Sequence, residues 1–119
     1  MANFLFIYRG GDEPYAKMTP DEIQKQMQKW TDWIGDGLKK GWILDGGDAL
    51  KPEGRVVNPK KTVTDGPFVE SKEIVGGYSI IKAATIDAAA ELAKGCPGLL
   101  TGGKVEVREL AGYSSKPPQ

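Results

Sequence analysis

Carboxylate side chains are the main candidates for chemistry in this sequence, because it contains no histidine. The chain therefore cannot form a Ser-His-Asp or Cys-His pair, a His-ligated zinc or haem site, or a neutral-pH imidazole base. The acidic residues near turns and glycines are Asp12, Asp45, Asp48, Asp65, Glu70 and Glu73. They do not follow the spacing of a calcium-binding loop, and for most of them a solvated surface position is favoured. We predict no metal site and no cofactor.

Asp65 differs from the other acids because Gly66 and Pro67 follow it. An aspartate in such a turn can fold its carboxylate back onto backbone amides, as an Asx turn, while Phe68 enters the core. A carboxylate held in this way is also preorganised to bind a ligand or to move a proton. The structural role is favoured, and Asp65 is also the first candidate for a functional acid.

Three functions are compatible with these residues. The first is a small-ligand-binding or regulatory homodimer with a pocket between the sheet and the helices or a hairpin. The residues expected to line that pocket are Asp65, Glu70, Lys72 and Tyr78. The second is a small enzyme in which Asp65 is the general base and Lys72 or Arg9 polarises a carbonyl group. The third is a protein-interaction module without chemistry of its own.

Two further motifs favour structural interpretations. Residues 98–104 nearly form a phosphate-binding loop, but Val105 stands where Ser or Thr is required and a strand is predicted where the motif needs a helix. Cys96 has no histidine to activate it, and it follows a predicted helix C-terminus, where the helix dipole opposes a thiolate. We therefore expect Cys96 to be a packing residue.

Composition limits the partners and the compartment. The 119 residues include 16 basic and 16 acidic side chains, so direct binding to nucleic acid or to an anionic membrane lacks its electrostatic basis. A single cysteine cannot form an internal disulfide, as expected in a reducing compartment. No stretch approaches the ~20 apolar residues of a membrane span. A cytoplasmic domain over residues 1–111 with a flexible tail over residues 112–119 is expected.

The elements that must position these residues begin with a strand over residues 3–9. Phe4, Phe6 and Tyr8 point to one face of this strand, whereas Leu5 and Ile7 point to the other. Because both faces are apolar, the strand should be covered on both sides.

The strongest element is a helix that begins after Thr19. Pro20 occupies the first helical position, Glu22 completes a capping box with Thr19, and Gly41 can end the helix. The apolar stripe predicted to face the core is Ile23, Met27, Trp30, Ile34 and Leu38. Packing would explain Trp30 on this stripe and Trp42 at the start of a strand. Trp33 lies off the stripe and could line a groove or a dimer contact, although packing is favoured for it too.

The remaining elements complete the order β-α-β-(hairpin)-β-α-β. Strands are predicted at 42–45, 74–82 and 104–110, a hairpin at 55–57 and 62–64, and a second helix at 87–94 capped by Thr85 or Asp87. Gly76 and Gly77 predict a bulge or a close approach of another backbone. This order predicts an α+β, ferredoxin-like fold with one antiparallel sheet. Two helices cover one sheet face, so a second copy of the chain is the expected cover of the other face.

The segment Thr64-Asp65-Gly66-Pro67-Phe68, continued to Tyr78, resembles the signature of the YCII-related, DGPF-domain proteins. Supporting similarities include residues 6–8, the helix start at 19–22, the Gly-Cys-Pro at 95–97 and residues 102–108. The resemblance implies a dimeric α+β barrel of ferredoxin-like subunits. It also implies a His-Asp pair in a pocket, of which this chain could supply only the carboxylate, Asp65. An association with an alternative sigma factor is a further implication, through protein or small-ligand contacts rather than through DNA.

Overall fold

The computed structural model describes residues 1–66 and 70–113. Its strands and helices are β1 (Ala2–Arg9), α1 (Pro20–Lys40), β2 (Ile43–Asp45), β3 (Arg55–Val57), β4 (Val63–Asp65), β5 (Val75–Ala83), α2 (Ile86–Ala93) and β6 (Lys104–Glu109). Short 3-10 helices, which the sequence did not predict, lie at Glu13–Lys17, Ser71–Glu73 and Pro97–Thr101.

The main sheet has four strands in the order β2-β5-β1-β6, and every neighbouring pair is antiparallel. β3 and β4 form a separate two-stranded hairpin. Strands β1 and β5 lie at the centre, and the two helices connect them to the edge strands β2 and β6. This arrangement confirms the predicted α+β, ferredoxin-like fold.

The core lies between the helices and one face of the sheet. Phe4, Phe6 and Ile81 are completely buried there, together with small side chains of α2 such as Ala89. The period of two along β1 that places Phe4 and Phe6 inside places Leu5 and Ile7 on the opposite face, as predicted. Leu5 and Ile7 are half-buried.

Helix α1 begins and ends with the predicted capping groups. The backbone N–H of Glu22 donates to Thr19 Oγ1 at 3.2 Å, and the N–H of Thr19 donates to Glu22 Oε1 at 3.0 Å. The hydrogen bond from the Thr19 N–H is the main cause that holds the pKa of the Glu22 carboxyl below its ordinary value. At the other end, Gly41 adopts the left-handed conformation, with φ of 86°, that terminates a helix at low steric cost.

The core-facing side of α1 is rotated relative to the predicted stripe, although Ile34 of that stripe packs against the core as predicted. The buried residues of this helix are Gln26 and Gly37, and Trp33 stacks on Phe6 with ring centroids 6.3 Å apart. Met27 and Leu38, by contrast, are 53% and 47% exposed. Gly37 allows the helix to approach Ile43 closely. This face does not stand out as apolar in the sequence, because a glycine and a glutamine lie on it.

The glycine pair in β5 forms the predicted bulge. Tyr8 pairs with Gly77 and Arg9 pairs with Val75, so Gly76 is the extra residue. The segment after β2 lies against this bulge, where Leu50 N–H donates to Gly76 O at 2.8 Å. A Cβ on Gly77 would stand 2.8 Å from Asp48 O, so a larger residue would push this segment away.

Several element boundaries differ by one residue from the prediction, and the boundaries of α2 and β4 have a clear physical reason. Helix α2 begins at Ile86, because the side chain of Thr85 accepts from Ala88 N–H and caps it. Strand β4 extends to Asp65, which pairs with Arg55 and thus belongs to the hairpin rather than to the turn after it. The amides toward which an Asx turn at Asp65 would fold, and the position of Phe68, lie outside the described residues. So does the predicted tail beyond residue 113.

Within residues 1–66 and 70–113, neither helix is long and apolar enough to span a membrane.

Two glycines of α1 provide a matched test of the contact between helix and sheet. Gly37→Ala should lower the free energy of unfolding by about 1–3 kcal/mol, because its Cβ would collide with Ile43 Cδ1 and stand 2.9 Å from Trp42 Cζ2. Gly35→Ala meets nothing within 4 Å and should raise the free energy by about 0.5–1 kcal/mol through helix propensity. Urea denaturation measures both. A Gly37→Ala protein as stable as Gly35→Ala would contradict the packing described for this helix.

Candidate functional site

A groove of about 780 Å³ lies between α1 and the segment that connects β2 to the hairpin. Its helical wall includes Trp30, Ile34 and Leu38. Leu38 is largely exposed, whereas Ile34 packs against the core on one side and lines the groove on the other. The rotation of α1 therefore creates an apolar wall from residues that otherwise resemble core residues.

Tyr8 forms part of the groove lining, and a chain of hydrogen bonds fixes its ring. The Tyr8 hydroxyl donates to Ser79 Oγ at 2.8 Å, and Ser79 Oγ donates to Gly46 O at 2.7 Å. Ser79 is completely buried, so both bonds are shielded from water. Burial raises the pKa of Tyr8, which stays a neutral phenol across the physiological range. Its ring meets that of Trp30 edge to face at 4.9 Å and 82°.

The opposite wall of the groove is mostly backbone. Gly47 has φ of 67°, and a Cβ at this position would overlap the Tyr78 carbonyl. The backbone of residues 46–50 consequently lies against the bulge in β5, where Tyr78 N–H donates to Asp48 O at 3.2 Å. The glycine pairs 46–47 and 76–77 thus form one contact and one wall of the groove.

Charged side chains reach the groove from two places. Asp12, just before the first 3-10 helix, and Asp48, after β2, both line it. Asp48 Oδ1 accepts from Ala49 N–H at 2.8 Å, whereas Asp12 makes no side-chain capping bond to the helix that follows it. Burial, and then the negative charge of Asp12, raises the pKa of Tyr15, which also lines the groove. The electrostatic influence of Asp12 therefore extends into the aromatic lining.

Of the residues that the sequence predicted for a site, Tyr78 lines the groove and is 37% exposed. Arg9 is engaged elsewhere: its Nε donates to Glu106 Oε1 and its Nη1 donates to Glu73 O, each at 2.8 Å. The hydrogen bonds from Arg9 and Arg108 lower the pKa of Glu106. The geometry thus gives Arg9 a role in joining β1 to β6 and to the segment before β5.

Lys72 and Glu70 belong to the 3-10 region before β5, and both are exposed. Lys72 lines a separate cavity of about 260 Å³ together with Gly11 and Thr101. The Glu70 carbonyl accepts from Glu73 N–H at 2.8 Å, and Glu70 lines neither cavity.

Asp65 lies on the hairpin, with a side chain that is 78% exposed. Its Oδ1 stands 3.3 Å from Arg55 Nη1, on the neighbouring strand. It does not line the groove that Tyr78 lines, nor the cavity that Lys72 lines. Among the described residues, the structure therefore does not bring Asp65, Glu70, Lys72 and Tyr78 together around one pocket.

Sequence reasoning named Asp12 and Asp48 but favoured a surface position for both, and it assigned Trp30 to core packing. The groove could have been predicted from the sequence of α1, in which two neighbouring lines of residues are both able to pack on the sheet. The apolar stripe at Met27, Trp30 and Ile34 runs beside a second line of residues that contains Trp33 and Gly37. A helix with one docking face leaves one of two such lines for another partner.

Cys96 is 3% exposed, and burial raises the pKa of its thiol to about 11. A neutral, buried thiol is a poor nucleophile. The Cys96 carbonyl accepts from Leu99 N–H at 3.2 Å at the start of the last 3-10 helix. These contacts agree with the packing role predicted for this residue.

Residues 1–66 and 70–113 contain no group of three or more Cys, Asp or Glu side chains arranged to hold a metal ion. A comparison with curated proteins found no match to the chain. A comparison with protein-family models matched residues 10–111 to the YCII-related domain. The match covers α1, the glycine bulge, the hairpin and all of the groove except the Tyr8 position, and it confirms the family inferred from residues 64–78. The chain belongs to the YCII-related domain family.

Proposed function

We propose that this protein is a small-ligand-binding homodimer, and that the ligand occupies the groove between α1 and the bulge in β5. The groove itself is the observation that carries this proposal. Its volume of about 780 Å³ falls within the roughly 300–1,000 Å³ of small-molecule sites. Such sites combine an apolar lining with a few polar groups that orient the ligand.

The polar groups of the groove are of two kinds. The aspartates Asp12 and Asp48 are accessible, whereas the Tyr8 hydroxyl is already committed to Ser79. Fixed aromatic rings bind flat or apolar groups at a low entropic cost, because the rings are ordered before the ligand arrives. This supports binding by a preformed lining rather than binding by a loop that folds around the ligand.

An enzymatic role for Asp65 stays a separate prediction. A general base must lie within hydrogen-bond distance of the proton that it removes. From the exposed hairpin, Asp65 would need a substrate bound outside the groove, with Arg55 as its neighbour. The association with a sigma factor, a regulatory role, the DGPF subgroup and a cytoplasmic location also stay predictions.

A neutral apolar dye tests the groove. Nile red should bind the protein in a saturable manner with a blue-shifted emission, and Ala49→Trp should weaken this binding by about tenfold or more. Ala49 is exposed at the edge of the groove, so an indole there would enter the groove without disturbing the core. Fluorescence titration measures the affinity.

Ala90→Trp is the matched control, since Ala90 is exposed on α2 and does not line the groove. It should leave the affinity for Nile red unchanged. If both variants lost the same amount of affinity, or if Ala49→Trp left the affinity unchanged, the dye would bind outside the groove. Either result would remove the main support for a ligand site here.

The homodimer is proposed from the sheet face that points away from the helices. Leu5 pairs with Ile80 and Ile7 pairs with Tyr78 on this face, forming an apolar patch at the centre of the sheet. Arg108 and Glu106 pair with Leu5 and Ile7 on the other side and give the patch a charged border. An apolar centre with a charged rim is typical of protein interfaces. Packing this face against the same face of a second copy would cover both.

Replacing a central residue of the patch by a charge should dissociate the dimer. Ile80→Glu should convert the protein to a monomer at micromolar concentration, because burying unpaired carboxylates at the symmetric contact is unfavourable. Multi-angle light scattering measures the mass, and circular dichroism checks the fold. Val57→Glu on the hairpin, where the valine is 65% exposed, is the control and should remain dimeric. A monomeric native protein would refute the dimer and leave the dye experiment unaffected.

A further inference from the structure

Among the described residues, the charged side chains that line the groove are all negative, whereas the chain as a whole has no net charge. The sequence contains 16 basic and 16 acidic residues. The described residues that line the groove include Asp12 and Asp48 but neither lysine nor arginine. An anionic ligand would therefore meet two carboxylates without a cationic side chain to offset them, whereas a cationic ligand would be attracted by both.

Arg9 is a basic residue next in sequence to the groove lining, but it does not offset the negative charge of the groove. Arg9 adjoins Tyr8 and Gly10, which both line the groove. Its guanidinium group, however, is held by Glu106 at 2.8 Å and by the carbonyl of Glu73. Glu106 and Glu73 hold the guanidinium group toward β6 and the segment before β5. The positive charge of Arg9 is therefore paired outside the groove.

The aromatic lining of the groove also favours a positively charged ligand. The rings of Tyr8 and Trp30 meet nearly at right angles, with centroids 4.9 Å apart, and Tyr15 also lines the groove. Aromatic faces attract cations electrostatically, and tryptophan and tyrosine are the strongest in this respect. Ammonium ligands are commonly bound by several such rings at an angle to one another, with a carboxylate nearby.

We propose that the ligand of this groove is an organic cation: an amine or quaternary ammonium group attached to an aromatic or aliphatic body. The ammonium group lies against Asp12 and Asp48, and the apolar body lies along Trp30 and Ile34. This inference rests on the proposed ligand-binding function and adds the charge of the ligand. A neutral ligand of the same shape fits the apolar wall but forgoes the carboxylates, and an anionic one is repelled by them.

Three probes of matched size separate charge from shape. These are 2-phenylethylammonium, 2-phenylethanol and 3-phenylpropionate, each titrated at neutral pH by isothermal calorimetry and by amide chemical shifts. The ammonium probe should bind about tenfold more tightly than the carboxylate probe, with the alcohol between them. Raising the salt concentration should weaken the ammonium probe and leave the alcohol unchanged, because the carboxylates are exposed to screening.

Substitution of the two aspartates tests their part directly. The double variant Asp12→Asn, Asp48→Asn should lower the affinity for 2-phenylethylammonium by about five- to tenfold and should leave that for 2-phenylethanol unchanged. Asparagine at position 48 can still accept from Ala49 N–H, so the wall is preserved. Asp32→Asn, on the exposed part of α1 and outside the groove, makes the same kind of charge change and should have no effect.

The outcomes distinguish the two levels of the proposal. If 2-phenylethanol binds as tightly as the ammonium probe, or if Asp32→Asn weakens binding as much as the double variant, the cationic ligand is refuted. In that case saturable Nile red binding that is lost in Ala49→Trp still supports a ligand groove. If no probe binds and Nile red ignores Ala49→Trp, the ligand-binding function itself fails.

Discussion

The close docking of α1 on the sheet is the contact on which the rest of the structure depends. It is made by Trp33 stacked on Phe6 and by Gly37, which leaves space for Ile43 and Trp42. A larger residue at position 37 would lift the C-terminal half of the helix from the sheet. Because the helix is fixed by this narrow contact, the neighbouring line of Trp30, Ile34 and Leu38 stays partly outside the core. The wall of the groove is a consequence of that fixed rotation.

The second constraint is the glycine contact at the other wall. Gly76 is the extra residue of the bulge, and Gly77 allows the backbone of Asp48 to approach within van der Waals distance. Ser79, two residues further along β5, ties this wall to the ring of Tyr8, because its hydroxyl accepts from Tyr8 and donates to Gly46 O. Helix, central strand and edge segment are therefore coupled at one place, and the groove between them has little freedom to collapse. A preformed groove reduces the ordering cost of ligand binding.

How far the sequence predicts this arrangement depends on the range of each interaction. The capping box at Thr19, the terminating Gly41 and the bulge at Gly76 are local features, and each was predicted because the residue types alone require it. The rotation of α1 was mispredicted because it depends on which of two neighbouring lines of residues meets the sheet, and that is decided by tertiary contact at Gly37. The site followed the same rule. Asp65 was predicted as a site residue from its local turn. The groove, however, is lined by residues from β1, α1, β5 and the segment after β2, and no local sequence pattern connects these segments.

The absence of histidine and the charge of the groove together narrow the chemistry of this chain. Without an imidazole, the accessible polar groups that line the groove near neutral pH are carboxylates, hydroxyls and backbone amides. Tyr8 and Cys96 are held neutral by burial, as the upward direction of both pKa values shows. A lining whose charged groups are aspartates, and whose other groups are rings and glycine backbone, stabilises a bound positive charge better than it activates a nucleophile. Recognition of a ligand is for that reason the function that we propose for the groove.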